Sequence, residues 1–172
     1  MALSKSFIFF SAIVAIQGAH VVEHIIQLIQ VYILGIPDDV AFGLLGYVFQ
    51  FQGTEEWLHL VFNLTFLLSL YALIPIIRRE TPWPIPTSAF LLFLTTSVGL
   101  ETWHVVEHIV IISNVLANNG CPCPGIVDSA TGLTDTILHF VYNTIAYSGV
   151  GVAYWYAFQG RRRGASLKAK LA

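Results

Sequence analysis

The stretch His20-Val21-Val22-Glu23-His24 returns letter for letter as His104-Val105-Val106-Glu107-His108, and both copies sit inside long apolar runs. On a helix, positions i, i+3 and i+4 share one face. His20, Glu23 and His24 therefore project together, and so do His104, Glu107 and His108. An ionisable group in the hydrocarbon of a bilayer costs about 3 kcal/mol or more unless it is paired or bound. This chain bears that cost twice, in the same pattern, so the two motifs are where a functional site is expected.

Working outward, the runs around the motifs decide the fold. Of 172 residues, 56% are hydrophobic and only 10% are charged, where a soluble domain carries about 25% charge. Mean hydropathy is +0.72. The expectation is an all-α polytopic membrane protein. Four runs are long enough to cross a hydrocarbon layer about 30 Å thick: about 7–34, 57–77, about 88–116 and 136–158. All eight basic residues, Lys5, Arg78, Arg79, Arg161, Arg162, Arg163, Lys168 and Lys170, fall on one side of these spans. The positive-inside rule then places both termini in the cytoplasm. The net charge of −2 says little about partners, because the charges are segregated by side. Lys5, an apolar run and Gly18-Ala19 imitate a signal peptide, but Gln17 is a poor residue three positions before a cleavage point.

The duplication is wider than the pentapeptide. Leu58-His59-Leu60-Val61-Phe62-Asn63 matches Leu138-His139-Phe140-Val141-Tyr142-Asn143, and Glu55 matches Asp135 one turn before each histidine. The expected architecture is a four-transmembrane-helix bundle built from a tandem repeat of two helices. An even number of spans per unit makes the halves parallel, related by an axis along the membrane normal. Residues 1–80 form the first unit, 81–87 a Pro-rich inner linker, 88–160 the second unit and 161–172 a basic cytoplasmic tail. The first outer loop carries Pro37-Asp38-Asp39 and an aromatic stretch; the second carries Cys121-Pro122-Cys123-Pro124. Thr54 and Thr134 read as helix N-caps, with Glu55, Glu56 and Asp135 in the first turns.

All six histidines lie on the repeated segments: His20, His24, His59, His104, His108 and His139. With Glu23 and Glu107 they form the expected metal-ligand set. Glu55, Asp135, Glu101, Asn63 and Asn143 share the same faces as additional ligands or as groups that orient the imidazoles. Glu101 stands where the first half has Gln17, and Gln27 stands where the second half has Ile111, so the halves are expected to differ. Imidazole and carboxylate donors suit copper, iron or zinc. Four-helix bundles with such donors hold two metals elsewhere. In ligand type alone the set is similar to the histidine-rich di-iron sites of membrane hydroxylases and desaturases, whose histidine-box spacings are absent here. The pentapeptide also resembles the inverzincin signature, which implies two zinc-binding histidines and a glutamate base.

The expected function is a membrane metalloprotein with a mono- or dinuclear site, copper or iron favoured, acting as an oxidoreductase or as a redox subunit of a membrane complex. Behind it stand a non-catalytic metal-binding or structural subunit, a b-type haem protein and an intramembrane zinc hydrolase. Expected partners are the lipid bilayer and other membrane subunits or further copies of the chain. Nothing in the sequence offers a phosphate loop, a serine nucleophile motif or a nucleic-acid-binding signature.

Overall fold

The computed structural model describes residues 4–49, 55–79, 85–118 and 124–171, and every regular element among them is helical. Four long helices carry the fold. Helix α1 is Lys5–Tyr32, α3 is Glu55–Arg79, α4 is Thr87–Ala117 and α6 is Asp135–Leu171. Two short helices, α2 (Gly43–Phe49) and α5 (Ile126–Thr131), lie in the connections at the histidine end. Thr54, the linker residues 81–84, Cys121 and Cys123 lie outside the described residues.

Three helices, α1, α3 and α4, are long and apolar enough to cross a membrane. Helix α6 is longer, but His139, Asn143 and Ser148 interrupt its apolar run. It continues without a break through Arg161, Arg162 and Arg163, so the basic tail is helical. The chain's own signals set the other boundaries. Ser4 caps α1, its hydroxyl accepting from Phe7 N–H at 3.3 Å. Thr134 caps α6, its hydroxyl accepting from Ile137 N–H at 3.4 Å. The chain leaves α1 and α5 through Gly35 and Gly132, both at φ +68°, a left-handed conformation that glycine adopts without cost.

Helix α1 packs chiefly on α6, and α3 chiefly on α4. The apolar core lies toward the basic end and is filled by Phe10, Leu70, Leu73, Phe93 and Val150. Along α6, Ala146, Val150, Ala153 and Ala157 repeat at helical spacing and are all buried. Small residues at this spacing let helix backbones approach closely. Large apolar side chains such as Ile16, Leu64, Leu68, Leu91 and Trp155 face outward on every long helix. At the basic end, Arg78 lies over the Phe90 ring at 5.0 Å and Arg161 over Phe7 at 4.6 Å.

One element has no signal in the sequence. Helix α4 widens to a π-helix over Phe93–Gly99. There Ser97 Oγ donates to the Ala146 carbonyl at 2.6 Å, and Thr96 and Ser97 crowd the face of Gly149. The hydroxyls of Thr95 and Thr96 donate to the Leu92 carbonyl, one of the acceptors at the start of the widened turn. The corresponding part of α1 is ordinary α-helix.

Candidate metal centre

The helical register brings the histidines together. Helix α1 delivers His20 and His24, the first turns of α3 and α6 deliver His59 and His139, and α4 delivers His104 and His108. All six rings belong to one cluster, with ring centroids 4.4 Å apart for His20–His24, 4.8 Å for His108–His139, 4.9 Å for His59–His139 and 5.7 Å for the stacked pair His24–His139. Five of the six are buried, with His24 and His108 at 0% exposure.

The nitrogens face one another. His20 Nε2 and His24 Nε2 are 3.1 Å apart, and His104 Nε2 and His108 Nε2 are 3.2 Å apart, so the repeated motif makes the same pair in each half. The second pair extends to His139, whose Nε2 is 3.0 Å from that of His108. His59, His108 and His139 each offer a nitrogen within 4.8 Å of the other two.

The outer nitrogens fix the tautomers. His139 Nδ1 faces the Asp135 carboxylate at 2.9 Å and the Asp135 carbonyl at 3.0 Å. Both partners are acceptors, so the proton sits on Nδ1 and the Nε2 lone pair faces the cluster. His24 Nδ1 faces the Gln27 carbonyl oxygen at 2.7 Å, which gives the same assignment. Asn143 agrees with it: its Nδ2 donates to His24 Nε2 at 3.1 Å and to the His139 carbonyl at 2.9 Å, while its Oδ1 accepts from Gln17 Nε2 at 2.8 Å. A carboxylate or carbonyl behind an imidazole is the usual way a protein orients a metal-binding histidine.

The two motif glutamates reach elsewhere. Glu23 Oε1 accepts from Leu45 N–H at 2.6 Å, and Glu107 Oε1 accepts from Val127 N–H at 2.7 Å. Each carboxylate thus ties a long helix to the first turn of the short helix in the following connection. A Cβ on Gly43 or on Gly125 would collide with that carboxylate. Gln30 strengthens the first tie, accepting from Gly43 N–H at 2.9 Å. Glu107 Oε2 makes no hydrogen bond.

The remaining candidates divide. Glu101 is fully buried, with an oxygen 3.6 Å from His104 Nδ1 and no hydrogen bond to either oxygen. Asn63 is fully buried, and neither amide atom has a partner. The Glu55 side chain lies outside the described residues. Sequence reasoning overlooked Gly43, Gly125 and Asp128. The two glycines carry a signal, since each follows its motif glutamate across a connection in both halves. Asp128 carries none, because only the folded connection brings it to the site.

A narrow cleft with room for a single water opens beside the cluster, lined among others by His104, Glu107, Gly125, Asp128, Asp135 and His139. Tyr142 also lines it, its ring centroid 4.9 Å from that of His104. Compared with family models, curated proteins and solved structures, the chain matches none of them.

Proposed function

We propose that this chain is an integral membrane metalloprotein that holds one or two transition-metal ions in its histidine cluster. In this reading it works as a redox centre, either as an oxidoreductase or within a larger membrane complex. The fold is then a four-span bundle of two parallel two-helix units, with the basic end in the cytoplasm and the cluster nearer the outer face. The observation that carries the reading is the run of Nε2 atoms His104–His108–His139 at 3.2 and 3.0 Å, with the His139 proton committed to Asp135. Two imidazoles bound to one metal at about 2.0–2.1 Å have nitrogens about 2.9–3.4 Å apart.

The separations also bear on the metal. They correspond to ligand–metal–ligand angles of about 90–105° at those bond lengths, between the tetragonal and tetrahedral values, and so fit copper, iron or zinc. The rings contact one another directly, which supports a bare ion over haem. Glu23 and Glu107 each commit one carboxylate oxygen to a short helix, a structural duty that counts against the role of hydrolytic base. A second reading, a metal-holding subunit without catalysis, is favoured by the cleft, which admits a water but no organic substrate.

Metal analysis with absorption and paramagnetic resonance spectra of the purified protein tests the proposal. The wild type is expected to carry one or two copper or iron ions that change signal on reduction. His108→Ala and His139→Ala are expected to lose the most metal. Unchanged metal content in all six single His→Ala variants, or none in wild type grown with ample metal, refutes it. Metal without any redox response selects the second reading.

A further inference from the structure

The cleft beside α5 has a composition that the histidine cluster alone does not require. Asp128 from α5, Asp135 from α6 and Glu107 from α4 line it together with His104 and His139. Glu107 is 4% exposed, with one oxygen held by Val127 N–H and the other, Oε2, without a hydrogen-bond partner. Asp128 sits one residue after Val127 and is half-buried at the mouth. Partial burial pushes its carboxyl above the ordinary range, and the charges of Asp135 and Asp38 push it further, so three carboxylates share one field there.

The first half lacks this device. Leu45 and Val127 make the same bond to their glutamates, so Asp128 corresponds to Gly46. The carboxylates that line the cleft therefore all come from the second half, while Asp38 of the first adds its charge to the same field.

We infer that this cleft is the port through which a divalent cation enters the histidine centre, with Asp128 receiving the ion at the mouth and Glu107 Oε2 passing it inward. The inference rests on the reading of the cluster as a metal centre. A cleft of one water's volume excludes a fully hydrated ion. Carboxylate oxygens replace the lost water. The imidazoles of His104 and His139 line the same cleft, and nitrogen donors hold first-row transition metals in preference to oxygen. The ion thus moves from weaker to stronger ligands. Asp135 is already engaged with His139, so Asp128 is the residue that tests the port without touching the centre.

The experiment follows Co(II) uptake by metal-free full-length protein in detergent, read by stopped-flow absorption. Asp128→Asn is expected to take up Co(II) about tenfold more slowly at low salt, as focused charge in clefts accelerates ion entry by such factors. It should reach the same final Co(II) content as wild type. Asp39→Asn removes an exposed carboxylate at the same end, from the turn Asp38–Val40, and should load at the wild-type rate. A wild-type rate in Asp128→Asn, a lowered final content in it, or equal slowing in Asp39→Asn overturns the port. Failure of the wild type to bind Co(II) at all instead removes the histidine centre itself, and the port with it.

Discussion

Asn63 and Asn143 occupy matching places in the repeated sequence, one turn after His59 and His139, yet they do different things. Asn143 uses both ends of its amide, on Gln17, His24 and the His139 carbonyl. Asn63 is just as buried and has no partner. Asn143→Leu leaves Gln17 Nε2 without its partner and takes a bond from His24 and from the His139 carbonyl, and is expected to cost about 1–3 kcal/mol. Asn63→Leu removes an unsatisfied amide and is expected to be neutral or stabilising. Thermal unfolding of both variants in one detergent checks this; equal losses would mean that Asn63 has a partner of its own. The sequence placed both asparagines on the histidine face. It did not separate them, because Asn143 finds its partner on the opposing helix, where α1 presents Gln17, and Gln17 has no counterpart amide in the second motif, where the sequence has Glu101.

At the level of elements, the short helices α2 and α5 are anchored by a glutamate that sees no Cβ. Three glycines separate the terms. Gly35 has φ +68° and nothing within 4 Å of an added Cβ, so Gly35→Ala should cost only the left-handed backbone term, about 1 kcal/mol. Gly125 has an extended backbone but touches Glu107, so Gly125→Ala should cost about 1–3 kcal/mol for overpacking. Gly43 combines φ +68° with contact to Glu23, and Gly43→Ala should lose about as much as the other two together. Melting temperatures in that order support the tie; a Gly43→Ala protein no weaker than Gly35→Ala would contradict it. The long helices were legible because apolar length and the 3.6-residue period act within one segment. The glutamate ties were not, since their partners lie across a connection. Nor was the π-helix at Phe93–Gly99, which packs against Ala146 and Gly149 some fifty residues away.

For the whole molecule, all eight basic residues mark one end, and the histidines lie toward the other. If the basic end is cytoplasmic, an impermeant maleimide added to intact cells after mild reduction should label Cys121 or Cys123. Labelling confined to permeabilised cells would reverse the orientation. The clustering of the histidines was readable in part, because the spacing within each motif puts its two imidazoles on one helix face. The acidic mouth was not readable, since Asp128 belongs to no pattern along the chain.

The nesting of the helices has a temporal side. The chain's first long helix packs chiefly on its last, α4 packs on that last helix as well, and α3 packs chiefly on α4. During synthesis, His20 and His24 emerge as a pair on a helix whose main neighbour does not yet exist. His59, His104 and His108 follow, still without His139 and its orienting Asp135. Only when α6 arrives does the nitrogen of His139 reach that of His108, and only then does Asn143 close the gap between the first helix and the last. Until that moment a nascent chain offers no more than partial sets of donors. If the cluster holds an ion as proposed, an interrupted chain is expected to release it readily, and firm retention becomes a certificate of completion.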